Sequence, residues 1–298
     1  MRINIAVLIT SHNRKEKTIS CLKNLTKQEG RNYEFVLEIF VFDDGSIDNT
    51  YETIQKEYPS INLFKGDGTY YWNGGMRFLM SKVINKHYDY VFWLNDDTYL
   101  FPNAIQTLID THASANHPNT TNNILVGLLK SPNSEKITYG GFRRISKINP
   151  LKIQLVSSIG KPQFVDTMNG NCVLIPYSVI KKNGNLDSAY VHSKGDIDYG
   201  FRAHEKGIGI VTTSEVVGIC RRDHDYYKKL KSHPPLQRLK LLFHPKSDAN
   251  PKETLIFMKR HGGPLWFLFY IYYYLALFLP NKPTCITKSR PSDRSMNS

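Results

Sequence analysis

The chain has 298 residues, which is enough to bury a large core in one big domain or two small ones. Its apolar fraction of 41% and charged fraction of 22% are those of an ordinary globular protein. A formal net charge of +13 favours a phosphorylated ligand, an anionic membrane surface or nucleic acid as partner. The four cysteines are scattered without a CxxC pair, which excludes a zinc pattern and a disulfide framework and predicts a reducing cytoplasmic compartment.

Strands and helices alternate in the first part of the chain. Residues 4–10 predict a first strand, and this apolar segment is too short for a signal peptide. Further strands are predicted at 35–42 and 61–64, with a helical pattern after each of the first two. A glycine-rich loop at 66–75 then precedes a helix that starts near Met76. This alternation predicts βαβ units and a mostly parallel sheet with helices on both faces.

The segment Tyr90–Leu94 predicts a buried strand that ends on Asn95, Asp96 and Asp97. Two adjacent carboxylates repel each other unless a cation or a cationic ligand shares them. In an open α/β sheet, ligands bind just beyond the carboxyl ends of the strands. We therefore predict a divalent-metal site that holds a phosphorylated substrate, and an ordinary Asp-Asp turn is the alternative.

Acidic pairs recur along the chain, and two of the three pairs follow predicted strands. A hard divalent ion such as Mg²⁺ uses one or two carboxylates together with substrate phosphates. Its expected work is to offset the charge on a leaving diphosphate. The pairs are Asp43 and Asp44, Asp96 and Asp97, and Asp196 and Asp198.

From about residue 116 the pattern changes to short strands and helices, which predicts an antiparallel addition to the parallel half. A hairpin or mobile loop is predicted at 136–150. The predicted strands of this half lie at 124–129, 164–168, 172–175, 208–213 and 216–220.

The chain becomes basic after Cys220, and residues 264–280 are almost wholly apolar and aromatic. A bilayer span takes roughly 20 apolar residues, and Tyr and Trp prefer the interface. We therefore predict a monotopic helix lying in one leaflet, with a buried helix or a dimer interface as alternatives. The predicted organisation is an α/β domain at 1–222, a basic and apolar helical extension at 223–281 that associates with the membrane, and a disordered tail at 282–298.

Four motifs now resemble those of a known family: residues 10–14 (Thr-Ser-His-Asn-Arg), 43–46 (Asp-Asp-Gly-Ser), 95–97 (Asn-Asp-Asp) and 195–202 (Gly-Asp-Ile-Asp-Tyr-Gly-Phe-Arg). Their order is similar to that of family 2 glycosyltransferases of GT-A fold over roughly residues 3–222. The fold that this resemblance implies is α/β, with a Rossmann-like, mostly parallel central sheet. Tyr71-Trp72-Asn73-Gly74-Gly75-Met76-Arg77 resembles the bacterial rhamnosyltransferase-like branch, which builds surface polysaccharide and lipopolysaccharide.

The resemblance implies a nucleotide-sugar pocket. His12 would stack on the base, although a solvated loop histidine is the alternative. One of the two acids after the second strand would accept hydrogen bonds from the base or ribose, or cap the next helix. Trp72 would contact the nucleotide-sugar or belong to the core. The implied binding residues are Thr10, His12, Asn13, Arg14, Asp43, Asp44, Trp72, Asn73, Gly74 and Asp96.

The resemblance also assigns the chemistry. Asp97 corresponds to the family's ligand for Mg²⁺ or Mn²⁺, and His224 is a further candidate ligand. Asn95 stands where many relatives carry another acid. Asp196 corresponds to the base that removes the acceptor hydroxyl proton, and a helix N-cap is its alternative role. Asp198 is predicted to form an ion pair at i, i+4 spacing on its helix.

These features predict an inverting, metal-assisted enzyme that transfers a sugar from a nucleotide-diphosphate sugar to a glycan or lipid-linked glycan. It is expected to be peripheral on the inner face of the cytoplasmic membrane and not to bind nucleic acid. A nucleotidyltransferase is one alternative, but residues 11–14 lack the glycine- and lysine-rich phosphate loop it would need. A non-catalytic basic module is another, but stacking aromatics are not interleaved with the cations. Walker A and GxGxxG motifs are absent from the sequence.

Overall fold

The computed structural model describes residues 2–114, 122–222 and 226–279 of the chain. The elements of the first part are β1 (Ile3–Ser11), α1 (Lys15–Leu25), β2 (Phe35–Asp43), α2 (Thr50–Glu57), β3 (Asn62–Lys65), α3 (Tyr71–Val83), β4 (Tyr90–Leu94), β5 (Tyr99–Leu100) and α4 (Ala104–Ser114). The central part contains β6 (Ile124–Lys130), β7 (Ile137–Tyr139), β8 (Gly141–Arg144), β9 (Ile153–Leu155), β10 (Gln163–Phe164), β11 (Thr167–Met168), β12 (Cys172–Pro176), α5 (Tyr177–Asn183), α6 (Gly195–Glu205) and β13 (Ile210–Ile219). The last part contains α7 (Tyr226–Ser232), α8 (Pro235–Leu242), α9 (Pro251–His261) and α10 (Trp266–Phe278).

A ten-stranded sheet runs through the molecule in the order β10-β13-β6-β12-β4-β1-β2-β3. In addition, β5 pairs with β13 and β7 pairs with β6. The strands β3, β2, β1 and β4 are all parallel neighbours. Strand β12 lies antiparallel between β4 and β6, and β13 pairs parallel with β6. The predicted α/β fold with a mostly parallel central sheet is therefore confirmed.

Alternate side chains of β1 enter two separate cores. Ile5, Val7 and Ile9 pack with apolar residues of α1 and α4. Ala6 and Leu8 face the other way, toward apolar residues of α3, α5 and α6. Because successive side chains of a strand point to opposite faces, this all-apolar strand must be covered on both sides. Helices do lie on both faces, as predicted.

The helix α3 begins earlier than the sequence predicts. Residues 71–75 were expected to belong to a glycine-rich loop, yet they form the first turn of α3. The Asp44 carboxylate accepts a hydrogen bond from Tyr71 N–H at 2.7 Å, which satisfies a donor that the helix leaves unpaired. A Cβ added at Gly75 would lie 2.8 Å from Thr10 Cγ2, so this glycine allows α3 to pack closely on β1.

Two strand predictions in the second half also need correction. The strands predicted at 208–213 and 216–220 are one long strand, β13, whose pairing with β6 shifts register between Thr212 and Val216. The strand predicted at 164–168 is divided between β10 and β11, which belong to different sheets. Such register shifts leave no periodic signal in the sequence.

The apolar segment at 264–280 contains α10, which packs on α7 and α9. Within the described residues, no helix is both long and apolar enough to cross a membrane. Residues 280–298, which include the tail predicted to be disordered, lie outside the described part of the chain.

Candidate active site

A cavity of about 720 Å³ lies at the carboxyl ends of β1 and β4. Its volume falls in the range of about 300–1,000 Å³ that is usual for small-molecule sites. Parallel pairing brings these strand ends to one edge of the sheet, because Ser11 of β1 aligns with Asp43 of β2 and Leu8 aligns with Trp93 of β4. The predicted site residues that line the cavity are Thr10, His12, Arg14, Asp44, Trp72, Asp96, Asp97 and Asp196.

The adjacent acids after β4 share a cation supplied by the chain itself. Arg14 Nη1 lies 3.0 Å from Asp96 Oδ1 and 3.0 Å from Asp97 Oδ2. Burial raises the pKa of Asp96 to about 6, against the opposing charge of Arg14 and together with the like charge of Asp97. The Asp97 side chain is 18% exposed and faces the cavity. The guanidinium therefore offsets the repulsion that the sequence indicated.

The donor set at this edge fits a divalent ion that is held jointly with substrate phosphates. Asp96 and Asp97 offer hard carboxylate oxygens, and Mg²⁺ commonly uses one or two carboxylates while phosphates and waters complete its shell. Among the described residues, no group of three or more His, Cys, Asp or Glu side chains could hold a metal by itself. His224, the further ligand predicted, lies outside the described residues.

A cysteine that the sequence did not single out contacts the predicted metal ligand. Cys220 Sγ donates to Asp97 Oδ1 at 3.6 Å, and Asn171 Nδ2 donates to the same sulfur at 3.6 Å. Burial, together with the charge of Asp97, raises the pKa of Cys220 to about 12, so the thiol stays protonated at neutral pH. Cys220 belongs to no sequence motif, and its position directly after a late strand was the signal in the sequence that could have placed it in the site.

Asp196 lies in the first turn of α6 and lines the same cavity as the strand-end acids. Its Oδ2 accepts a hydrogen bond from Gly170 N–H at 2.8 Å, and its Oδ1 accepts one from Ile197 N–H at 2.8 Å. Burial raises its pKa even though both N–H groups act to lower it. The N-cap position of α6 is Lys194, so Asp196 does not occupy the cap position considered as its alternative role.

Trp72 connects the two acidic parts of the site. Its Nε1 donates to Asn95 Oδ1 at 2.8 Å, so the neutral amide of Asn95 has a hydrogen-bond partner. An acid at this position would place a charged carboxylate there instead. A Cβ added at Gly170 would lie 2.5 Å from the Trp72 ring and 3.3 Å from Asp196 Cβ. Trp72 also packs edge-to-face on Trp93, at 6.3 Å and 84°. Trp72 thus belongs to both the core and the cavity wall.

His12 and Asp44 form one wall of the cavity. His12 Nδ1 lies 2.6 Å from the Asp44 carbonyl oxygen, so Nδ1 carries a proton and donates it. The Asp44 carboxylate accepts hydrogen bonds from Gly68 N–H at 2.9 Å and from Tyr71 N–H. Asp44 therefore supports the start of α3, whereas the sequence considered it as a cap for the next helix along the chain, α2.

Two predicted binding residues on the same side do not line the cavity. Asn13 joins two loops, since its N–H donates to Ser46 Oγ at 2.8 Å and its Oδ1 accepts from Ile47 N–H at 2.8 Å. Asp43 is fully buried, and its two carboxylate oxygens accept hydrogen bonds from the Ser46 hydroxyl and N–H. The polar groups of Asn13 and Asp43 are therefore used in hydrogen bonds within these loops.

Asn73 and Gly74 of α3 also lie away from the cavity wall. The fully buried Asn73 donates from Nδ2 to the carbonyl oxygens of Asp187 at 2.9 Å and Tyr190 at 2.6 Å. Asn73 therefore ties α3 to the segment that leads into α6. A Cβ added at Gly74 would meet Tyr70 at an ordinary 3.4 Å, so no close approach requires this glycine.

The cavity has a basic and aromatic wall that the sequence did not predict residue by residue. Lys246 Nζ lies 5.9 Å from the centre of the Tyr71 ring, and Lys194 Nζ donates to the Asp248 carbonyl oxygen. Tyr71 and Lys194 both have left-handed backbones, with φ of 52° and 68°, which non-glycine residues rarely adopt. The cavity residues of the C-terminal part are Tyr227, His244, Lys246, Asp248 and Phe257.

A buried charge cluster fixes α9 on α6. Asp198 is fully buried and accepts from Arg202 Nε at 2.7 Å, Arg260 Nη1 at 2.6 Å and His261 Nε2 at 2.9 Å. Although burial opposes ionisation, the hydrogen bonds from His261 and Arg202 lower the pKa of Asp198 to about 2. The predicted i, i+4 pair of Asp198 and Arg202 is present. Asp198 is fully buried, and the cluster around it also includes Arg260 and His261 of the C-terminal part.

Residues 6–153 match a protein-family model described as Glycosyl transferase family 2. This segment is similar to a family 2 glycosyltransferase domain. The match covers just under half of the chain and includes the carboxyl ends of β1, β2 and β4 with their acids. No curated protein sequence matches this chain.

Solved glycosyltransferase structures share the fold. S. aureus TarS is 14% identical over 87% of this chain and 42% of its own, with a TM-score of 0.51. The TarS 1–349 complex with UDP-GlcNAc is 15% identical over 87% of this chain and 71% of its own, with a TM-score of 0.51. The mannosyltransferase PcManGT from Pyrobaculum calidifontis, in complex with GDP-Man and Mn²⁺, is 14% identical over 93% of this chain and 81% of its own, with a TM-score of 0.52. This chain thus spans less than half of the TarS chain in the first of these structures.

Proposed function

We propose that the protein is an inverting glycosyltransferase that uses a nucleotide-diphosphate sugar. The observation that carries the proposal is one cavity that contains the acid pair Asp96 and Asp97 and the separate carboxylate of Asp196. Trp72 contacts Asn95, which precedes the pair, and packs against Gly170, which donates a hydrogen bond to Asp196. The family 2 match and the fold shared with transferases of known complexes support this class of reaction.

The donor is proposed to bind beside the strand ends. His12 and Asp44 offer a flat ring and a carboxylate for the nucleoside, while Arg14 and Lys194 offer cations for the diphosphate. A divalent cation, Mg²⁺ or Mn²⁺, held by Asp97 together with the donor phosphates would offset the charge that develops on the leaving diphosphate. Mn²⁺ is present in the PcManGT complex with GDP-Man, which supports a metal of this kind.

Asp196 is proposed to act as the general base. Its carboxylate takes the proton of the acceptor hydroxyl while the hydroxyl oxygen attacks the anomeric carbon. The bond from that carbon to the diphosphate oxygen breaks, its electron pair leaves with the diphosphate, and the anomeric configuration inverts. The raised pKa of Asp196 makes it a stronger base than an ordinary aspartate, and the Gly170 N–H holds its Oδ2 in place.

We infer that the acceptor is a glycan or lipid-linked glycan in the synthesis of bacterial surface polysaccharide or lipopolysaccharide. The support is the Tyr71–Arg77 segment, which resembles the rhamnosyltransferase-like branch, and its first two residues line the cavity. The aromatic side chains Tyr227 and Phe257 at the same cavity suit the apolar faces of sugar rings.

Thermal unfolding with a panel of nucleoside diphosphates and their sugars, with and without Mn²⁺, tests the proposed function. We expect one nucleotide series to raise the melting temperature, and Mn²⁺ to add to that rise in the wild type. In Asp97→Asn the increment from Mn²⁺ should disappear, because that variant keeps the nucleoside wall and loses the charged ligand. Absence of stabilisation by every nucleotide and nucleotide-sugar would contradict the proposal.

A further inference from the structure

The helix α10 has one packed side and one exposed side. Tyr274 OH donates to the Ala249 carbonyl oxygen at 2.9 Å, and Tyr273 OH lies 2.8 Å from Tyr227 OH. Leu277 is buried with Leu230 and Leu242 in a small core. The α10 helix is therefore already secured by its own polar and apolar contacts, and its other side is not needed for that attachment.

The exposed side of α10 is wholly apolar apart from one tyrosine hydroxyl. Its residues are spaced so that they share one helical face. They retain between 46% and 71% of their accessible surface. Contiguous exposed apolar surface of this kind is unusual in a soluble monomer and marks an interaction site. The face comprises Phe267, Leu268, Ile271, Tyr272 and Leu275.

The neighbouring helix α8 extends this surface. Arg238 Nη1 donates to the Leu277 carbonyl oxygen at 3.0 Å, which places α8 beside the C-terminal end of α10. Three exposed apolar residues lie on one side of α8 or just beyond its end. They are Leu236, Leu239 and Phe243, which are 80%, 49% and 63% exposed. We call these residues together with the five exposed residues of α10 the two-helix face.

The helices α7 and α8 and the residues after them up to 247 carry charge of a single sign. Residues 226–247 contain Lys and Arg at six positions and no Asp or Glu, and Lys228, Lys229 and Lys240 are exposed. A second copy of the chain would bring two such basic surfaces together, and their like charges would repel. Residues 281–298 carry only Ile286 and Met296 as large aliphatic side chains, so they lack the apolar content to cover the face.

We propose that the two-helix face binds the surface of a bilayer that contains anionic lipid. The apolar side chains would enter the boundary between headgroups and acyl chains, while the lysines contact the lipid phosphates. The 13 residues of α10 extend about 20 Å at about 1.5 Å per residue, which is less than a hydrocarbon core of about 30 Å. The helix therefore lies in the plane of the membrane surface, which is the peripheral location that the sequence predicts.

The two-helix face is connected to the cavity by a short path. Tyr227 lines the cavity and its hydroxyl contacts that of Tyr273 on α10. Bilayer binding would therefore hold one cavity wall next to the membrane surface, where a lipid-linked acceptor could reach it. This consequence rests on the proposed glycosyl transfer, whereas the membrane contact itself does not.

Vesicle sedimentation with the full chain tests the inference. We expect the wild type to sediment with vesicles of mixed phosphatidylglycerol and phosphatidylcholine, and less with phosphatidylcholine alone. The double variant Phe267→Glu/Ile271→Glu should bind the mixed vesicles about tenfold more weakly or worse, because it replaces buried apolar area with charge that repels anionic lipid. The triple variant Lys228→Gln/Lys229→Gln/Lys240→Gln should lose most of the preference for phosphatidylglycerol.

The matched control is Tyr33→Glu/Ile159→Glu, which adds the same charge at exposed apolar residues (86% and 55% exposed) outside the two-helix face. It should bind vesicles almost as well as the wild type, and circular dichroism should show all variants folded. Equal loss in the control would overturn the inference, as would failure of the wild type to bind either vesicle. A wild-type dimer that the Phe267→Glu/Ile271→Glu variant dissociates, without vesicle binding, would assign the face to a second copy and overturn it as well. Because the assay measures only lipid binding, its failure is distinct from a failure of nucleotide-sugar binding.

Discussion

At Asp196, burial and two backbone N–H groups act on the same carboxylate in opposite directions. The N–H groups of Gly170 and Ile197 fix both oxygens, and burial keeps the pKa above its ordinary value. A general base needs a fixed position first and a suitable pKa second. The residue that best satisfies both conditions in this cavity is therefore Asp196.

Asp196→Asn is expected to abolish sugar transfer while nucleotide-sugar affinity stays nearly unchanged. The amide preserves the size of the side chain but cannot accept the acceptor proton. Turnover and isothermal titration with the donor measure the two effects separately. Asp110→Asn, on α4 and absent from the cavity wall, is the control and should leave both unchanged. A loss of donor affinity by orders of magnitude in Asp196→Asn would refute its role as base.

Gly170→Ala is expected to reduce kcat strongly while the protein remains folded. The added methyl group would lie 2.5 Å from the Trp72 ring, so the ring or the loop before β12 must move, and Asp196 moves with it. Steady-state kinetics and tryptophan fluorescence measure this displacement. The control is Gly74→Ala on α3, where the new Cβ makes an ordinary contact at 3.4 Å. A Gly170→Ala enzyme with wild-type kcat would show that this close approach does not matter.

At the scale of elements, the contact between α6 and α9 joins the C-terminal part to the base. Asp198 lies two residues after Asp196 on α6 and binds Arg260 and His261 of α9. Arg260 also forms an ion pair with Asp187 at 2.9 Å. Movement of α9 would therefore disturb the first turn of α6. In this way the C-terminal part supports the cavity both through its lining residues and through the helix that carries the base.

Asp198→Asn is expected to destabilise the protein by about 3–5 kcal/mol, because it removes the charge that faces Arg202, Arg260 and His261 in a buried site. Urea unfolding at neutral pH measures the change. The exposed pair of Lys65 and Glu52 provides the control, since Glu52→Gln should alter the free energy of unfolding by less than about 1 kcal/mol. Equal effects of the two variants would contradict a structural role for the buried cluster.

The same cluster predicts a loss of stability in acid. The pKa of Asp198 is lowered to about 2 in the folded protein, against an ordinary value of 3.8. A lowered folded-state pKa contributes stability above the unfolded pKa, and this contribution is lost as pH falls from about 4 toward about 2. The contribution is about 2 kcal/mol at neutral pH. Urea unfolding of the wild type and of Asp198→Asn across this range should show a smaller pH dependence in the variant.

At the scale of the whole molecule, the sequence predicts the central sheet well because its signals are local. The apolar segments of β1 and β4 and the acids that follow them are visible without any knowledge of distant contacts. The acidic pairs are expected to meet because a sheet would bring them together, and the cavity contains Asp96, Asp97 and Asp196. Parallel pairing of β1 with β2 and β4 supplied the geometry.

The places of Asn73 and Cys220 relative to the cavity could not be read from the sequence, because their partners lie far along the chain. Asn73 looked like a ligand-binding residue, but its partners are carbonyl groups more than a hundred residues away. Cys220 belongs to no sequence motif. It lies in the site because its thiol contacts Asp97, and no spacing rule predicts a contact at that separation. The basic segment after Cys220 was visible as composition, while the cavity contact of Lys246 depends on how α7–α9 pack.

The reaction products formed from a panel of nucleotide-diphosphate sugars, with membrane lipid extract as the acceptor source, test the central proposal most directly. We predict that one donor yields nucleoside diphosphate only when acceptor is present, and that Asp196→Asn yields none while Asp110→Asn behaves as the wild type. Release of nucleoside monophosphate or pyrophosphate instead would identify nucleotidyl transfer and contradict glycosyl transfer, as would the absence of acceptor-dependent turnover with every donor.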